Sequence, residues 1–474
     1  MYKSKILSAL LLFSISVMSC NKLKDFGDTN TNPNGVAEPN IAALLTNAEA
    51  SLSTYQVQTT PGYYCQYFSE TQYSDASLYS LQQINFTGEY AGILYDLQNI
   101  TLQNNNNQSA VARILKAYIF WTVTDRWGDV PYSAALKGQP EPPVYDKQED
   151  IYKGLIEELK AANAQFGGSD LIVGDIIFSG DIASWKRVAN SLRMIMSMRL
   201  SKRYPGASDY AATEFKAALG DAAGYIATNS QNFTVDYPGG NFKSPWFNLY
   251  NGRKDVGESA TMTALMTSLA DGRQNAFASD VNGNPSAVGV PYGWTRDKVD
   301  PWTSGNPTWT YVLNASLRQE NSSVVMIGAA HVALARAEAA DRGWTSENMK
   351  AVYEDGIKKS FEQWGVNAPS ASYFTQSNVA LNAASGSGAN IRNIALQRYI
   401  AFYPDGIQGW SEWRRTGVPT LTPAPDAVNA SKQIPRRLAY GQNEYGSNAE
   451  NVKKAVSELP GGADSQDAKV WWDQ

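Results

Sequence analysis

Apolar residues recur at spacings of three and four along much of this chain, and that period restricts its fold more than any other feature. Ala110, Ile114, Ala117 and Trp121 form one stripe, with Gly128 and Pro131 as its stop. Trp185, Val188, Leu192 and Ile195 form a second, with Met194, Met196 and Met198 nearby and Pro205 beyond its end. The methionines read as pliable core packing. Met349, Val352, Tyr353, Ile357, Phe361 and Trp364 form a third stripe, closed by Gly365.

Residues 324–342 precede that third stripe across a short Gly343-Trp344-Thr345 break, and they read as an Ala-rich helix. Two antiparallel helices joined by a tight turn over about 40 residues are similar to a degenerate tetratricopeptide unit. Residues 151–166, 210–228 and 391–403 supply further helices. No strict repeat period is present and long alternating strands are few. The expected fold is mainly α: irregular tetratricopeptide-like helix pairs with long loops.

A continuous helical array can use all 474 residues as one body, and a 43% hydrophobic content supplies its core. The net charge of −5 argues against nucleic acid and against a polybasic membrane clamp. His331 is the only histidine, so a Ser-His-Asp triad, a Cys-His pair or a multi-histidine zinc site would have to pass through it. Its helical surroundings suit a packed structural role. Carboxylates are plentiful, and a two-carboxylate glycosidase is not excluded by counting. No Walker A or Rossmann glycine pattern stands in a strand–turn–helix context.

No cofactor and no metal are expected. Asp28-Thr29-Asn30-Thr31-Asn32 begins like a calcium loop, but Pro33 replaces the required Gly and Pro39 the bidentate Glu. A polar turn is the reading there, with a weak structural calcium as the alternative. Asp125 and Asp129, flanking Arg126-Trp127-Gly128, read as caps and arginine partners. Arg414 and Arg415 follow Trp410 and Trp413 at spacings that suit cation–π packing.

The N-terminus reads as an address. Lys3 and Lys5 precede an apolar run over residues 6–17, too short to span a bilayer stably, which ends in Val17-Met18-Ser19-Cys20. This resembles the processing site of a bacterial lipoprotein, with residues 1–19 as signal peptide and Cys20 carrying the lipid. Residues 20–40 then form a tether and residues 41–474 the body. Cys65 is left without a partner in the chain, so no disulfide is expected.

Between residues 232 and 311 the helical period weakens and Gly, Pro, Asn and aromatic residues accumulate. Long aromatic loops in a compact protein tend to be functional. Trp246, Trp294, Trp302 and Trp309 lie beside Pro and Gly rather than on helical stripes, and Gln72-Tyr73-Ser74-Asp75 with Tyr79 forms a second polar-aromatic loop. Rings can stack on the apolar face of a pyranose while charged groups bond its hydroxyls. Tyr73, Asp75, Tyr79, Trp294, Arg296, Trp302 and Trp309 are therefore the candidate ligand-binding residues, with stacking by the tryptophans and hydroxyl bonding by Asp75 and Arg296.

These motifs add up to a resemblance. The lipoprotein start with Asp25-Phe26 and Asn30-Thr31-Asn32-Pro33-Asn34, then Lys116-Ala117 through Thr124-Asp125-Arg126-Trp127-Gly128-Asp129-Val130-Pro131-Tyr132, resemble SusD/RagB-type outer-membrane nutrient-binding lipoproteins, closest to the SusD-like 2 branch. So do Trp185 through Ala189-Asn190-Ser191-Leu192-Arg193, Ala337-Glu338-Ala339 to Gly343-Trp344, and Gln397-Arg398-Tyr399. Trp410 through Trp413-Arg414-Arg415-Thr416-Gly417, Pro435-Arg436-Arg437-Leu438 through Glu444, and the terminal Trp471-Trp472 complete the series. His331 stands where the family would carry an acidic residue.

The resemblance implies a non-catalytic protein, lipid-anchored on the outer membrane and exposed at the surface of a Gram-negative cell. It implies capture of oligosaccharides for a SusC-like TonB-dependent transporter, over which the protein closes as a lid. Capture of peptides or other oligomers, a surface glycosidase and a purely structural helical scaffold are the alternatives.

Overall fold

The apolar stripes become helices whose striped faces are buried in the computed structural model, which describes residues 40–139 and 141–474. The signal peptide, Cys20, the Asp28 turn and the tether up to residue 39 lie outside the described residues. Ala42–Gln474 forms one compact unit.

Eight helices make the frame. Helix α1 (Asn106–Trp127) starts where the Asn105 side chain accepts the Gln108 N–H, and it stops at Gly128, whose φ of +91° suits glycine. It is followed by α2 (Gln148–Gln165), α3 (Ile182–Arg199), α4 (Tyr210–Leu219), α5 (Ala329–Asp341), α6 (Met349–Gln363), α7 (Ile391–Phe402) and α8 (Gly406–Thr416). Sequence neighbours pack as pairs: α1 on α2, α3 on α4, α5 on α6 and α7 on α8, with α5 also lying on α3 and α7. This is the expected tetratricopeptide-like arrangement. A Cβ at Gly356 would stand 2.9 Å from Leu334 Cγ, so glycine at this position lets α6 approach α5 closely. Met194, Met196 and Met198 are all core residues.

Three features differ from the sequence reading, the first being a helix, Arg296–Gly305, that carries Trp302 in a stretch read as loop. Residues 324–342 are not one helix. The run Val324–Ile327, three of whose four residues are β-branched, pairs as a strand with Phe233–Val235, and α5 starts only after Gly328. Residues 210–228 are helical only as far as Leu219, because Gly220 ends the helix and Gly224 turns the chain at a φ of +73°. Among the described residues six strands form: β1 (Phe68–Glu70), β2 (Phe233–Val235), β3 (Val256–Glu258), β4 (Ala278–Ser279), β5 (Tyr311–Val312) and β6 (Val324–Ile327). They pair antiparallel as β1–β3, β2–β6 and β4–β5.

The buried polar residues brace the frame. His331 is buried, its Nδ1 accepts the Gly328 N–H at 3.1 Å, and its Nε2 lies 2.9 Å from the Ala401 carbonyl. That pairing places the proton on Nε2, and burial lowers the ring's pKa to about 4, so it stays neutral. Asp129 caps α2 by accepting the Gln148 N–H at 2.8 Å. The Arg414 guanidinium lies 3.7 Å from the centre of the Trp410 ring, and Arg415 is clasped between Glu338 and Glu412. Cys65 is buried and free.

Candidate functional site

Three segments far apart in sequence converge at one edge of the helical frame. Strand β1 leads into the loop from Thr71 to Ser80, and its pairing with β3 sets that loop beside the Arg253-Lys254-Asp255 turn. Thr71 tightens the junction, its N–H bonding the Asp255 carbonyl at 3.0 Å and its hydroxyl the Lys254 carbonyl at 2.5 Å.

The third segment is the 291–305 stretch. Gly293 sits at a φ of +66°, with no room for a Cβ against Ala424, and the Asp426 carboxylate accepts the Thr295 N–H at 3.1 Å and pairs with Lys298 at 2.6 Å. The first loop rests on the same support, because Val428 donates its N–H to the Leu78 carbonyl at 2.8 Å. A common platform around residues 424–428 thus brings Tyr73 and Arg296 together. The Arg296 guanidinium lies 5.8 Å from the centre of the Tyr73 ring.

Tyr73 is 55% exposed and separates two clefts. One, of about 740 Å³, is walled by Gln72, Tyr73, Tyr250, Tyr311 and the Arg253-Lys254-Asp255 turn. The other, of about 610 Å³, shares Tyr73, Arg253 and Asp255 and adds Tyr63, Gln82, Asn248 and Glu70. Tyr250 is pinned by its hydroxyl, which donates to the Val256 carbonyl and accepts the Val312 N–H, both at 2.9 Å. Burial raises the Glu70 carboxyl to about 7 against the pull of its hydrogen bonds. Its Oε2 accepts both the N–H and the hydroxyl of Ser77 at 2.7 Å, which anchors the Tyr73 loop.

The sequence candidates separate into two sets. Tyr73, Asp75 and Arg296 are exposed, and Trp294 and Trp302 are half-buried against Val290, Val299, Trp309 and Tyr311. Tyr79 and Trp309 are core residues, contrary to the expectation of surface rings. Tyr79 is fully buried at a φ of +65°; its hydroxyl accepts the Ala424 N–H at 2.8 Å and its carbonyl accepts Gln466 Nε2 at 2.7 Å. Trp309 is 5% exposed and stacks on Tyr311 with ring centres 4.2 Å apart. Trp246 is buried as well, edge-on to Phe68. Tyr250, Tyr311 and Arg253 were not foreseen. Their one sequence signal is Tyr250 directly before an Asn251-Gly252-Arg253-Lys254 turn that is both basic and flexible.

Among the described residues, no group of three or more His, Cys, Asp and Glu side chains is placed to hold a metal ion. The site is thus an open aromatic and charged shelf, suited to holding a flat-faced polar ligand by stacking and hydrogen bonds.

A family model matches residues 33–441, and its description is starch binding in association with the outer membrane, SusD-like. The chain belongs to this SusD-like family. Solved structures place the SusD-like fold beside it at high similarity. A chitin-binding SusD homologue from Flavobacterium johnsoniae is 25% identical with a TM-score of 0.80, covering 92% of this chain and 99% of that one. A SusD homologue from Bacteroides uniformis is 26% identical with a TM-score of 0.79, covering 92% of this chain and 100% of that one. Another structure, described as a chitin-binding protein, is 26% identical with a TM-score of 0.76 and the same coverage. No curated protein sequence matches.

Proposed function

We propose that this SusD-like protein captures oligosaccharides at the cell surface and delivers them to a SusC-like TonB-dependent transporter, without catalysing a reaction. Cys20 is its lipid anchor to the outer membrane. The observation that carries this reading is the exposed Tyr73 ring, standing between two clefts with Arg296 beside it. A pyranose stacks on Tyr73, with Trp294 and Trp302 extending the apolar shelf and Asp75 and Arg296 bonding hydroxyls. Trp309 and Tyr79 serve from beneath, holding the shelf and its loop in place. The family description and the chitin-binding neighbours support a glycan over a peptide. Glu70 supports capture over hydrolysis, since its Oε2 is engaged in bracing the loop through Ser77.

Calorimetry of the full chain in detergent against plant, host and microbial oligosaccharides, with peptides included, tests this. Saturable binding of a glycan without turnover is expected. Tyr73→Ala should weaken it by about 1–2 kcal/mol, on the order of tenfold, without loss of thermal stability. Binding of peptides alone, or glycan binding that ignores Tyr73→Ala, would overturn the reading.

A further inference from the structure

The charge around the larger cleft runs against that of the chain. The protein as a whole carries −5. Yet the cleft walled by Tyr73, Tyr250 and Tyr311 is lined by Arg253 and Lys254, with Arg296 over the Tyr73 ring. Among the described residues one carboxylate, Asp255, lines it, and Arg253 holds it through Nε at 2.6 Å and through Nη2, which leaves the Nη1 side of the guanidinium unpaired. Among the described residues Lys254 and Arg296 form no ion pair. The Arg253 side chain is 64% exposed despite its partner, so its guanidinium edge remains open to the cleft. Three other carboxyl groups lie on the same segments without lining this cleft: Asp75 and Asp297 are exposed, and Glu70 lines the adjoining cleft with its Oε2 tied to Ser77.

We propose that this cleft selects an acidic oligosaccharide, one whose sugars carry carboxylate or sulfate groups. The inference rests on the reading of this face as an oligosaccharide site and names the class of ligand it takes. A neutral sugar bonds its hydroxyls well to carboxylates and amides, and it leaves surplus cations without a partner. An arginine fork, by contrast, matches a carboxylate or sulfate with two parallel hydrogen bonds, and a lysine supplies a point charge beside it. The exposed Tyr73 ring stacks a pyranose face while the cations beside it read the charged substituents. Away from the cleft the net negative charge repels such a ligand, so the local cations also direct where it lands.

The test compares ligands matched in length and differing only in charge: oligogalacturonate against its methyl ester, and a sulfated glycosaminoglycan oligosaccharide against its desulfated form. Titration of the full chain in detergent is expected to show at least one acidic member bound about tenfold or more tightly than its neutral counterpart, with affinity falling as salt is added. The pair that responds identifies carboxylate or sulfate as the recognised group. Lys254→Gln with Arg296→Gln should erase the preference, and neither change breaks an ion pair within the described protein. Neutral oligosaccharides that bind as tightly as acidic ones, in a manner dependent on Tyr73, would overturn this inference and leave the proposed function standing. Failure of every oligosaccharide, acidic and neutral, would overturn both.

Discussion

Arg415→Met is expected to cost about 3–5 kcal/mol of folding stability, a large share of the roughly 5–15 kcal/mol that holds a typical domain together. Arg415, on α8, ties α5 and the turn after α3 to its own helix. Its Nη1 and Nη2 each reach a Glu338 oxygen on α5 at 2.6 Å, Nη2 also bonds Glu412 on its own helix, and Nη1 bonds Ser201 at 2.8 Å. Arg398 on α7 bonds Glu412 at 2.9 Å, and Arg342 bonds Glu338 at 2.8 Å. Both carboxylates are fully buried, so removing Arg415 leaves them short of positive charge where water cannot compensate.

The pH dependence follows from the same network. Burial pushes the Glu338 carboxyl up, but Arg415, Arg342 and Arg398 outweigh it and hold the group down at about 2. A carboxyl depressed below its unfolded value of 4.5 contributes stability that is complete above that pH and is lost as pH falls through about 2. In Arg415→Met that carboxyl titrates higher, and the acid transition should move upward. Urea denaturation at neutral pH and an acid titration followed by circular dichroism measure the two effects. A loss below about 1 kcal/mol would show that the network is not a main support. Adding Glu338→Gln to Arg415→Met should recover part of the cost, because one stranded charge is gone.

Trp472→Ala is the second large effect, expected at about 3–5 kcal/mol. The ring is fully buried, its Nε1 donates to Asp125 Oδ1 at 2.8 Å, and the guanidinium groups of Arg414 and Arg199 lie 4.8 and 5.5 Å from its centre. Asp125 is also fully buried, and burial raises its pKa even with Arg199 and Tyr152 beside it. Truncating Trp472 therefore opens a cavity and takes a donor from a carboxylate that has few. Trp472→Phe refills much of the space and lacks only the N–H, so it should cost less, about 1–3 kcal/mol. Guanidinium denaturation curves of the two variants separate packing from hydrogen bonding. Equal losses would mean that the contact with Asp125 dominates.

The frame was readable because helix stripes are local: Ala110 to Trp121 and Trp185 to Ile195 repeat within one helix, and their caps stand beside them. The strand at Val324–Ile327 was hidden because its partner lies about 90 residues earlier, and a short apolar run has no period to separate strand from helix. The site was half readable for the same reason. Tyr73 and Tyr79 share one loop and one kind of neighbour, yet Tyr79 is drawn into the core by Ala424 and Gln466, more than 340 residues away. Trp309 is likewise buried by stacking on Tyr311, whereas Trp302, on the helix Arg296–Gly305, stays half-buried against the same cluster. Arg296 was legible as a charged residue in the aromatic stretch, but Arg253 and Lys254 were missed, because their turn comes beside Tyr73 only after β1 pairs with β3.

The most direct measurement is a crystal structure of the protein with the tightest-binding oligosaccharide bound. The account predicts a sugar ring lying flat on Tyr73, with its polar groups within reach of Arg296 and Arg253. A ligand ordered on another face, with Tyr73 left in solvent, would contradict it.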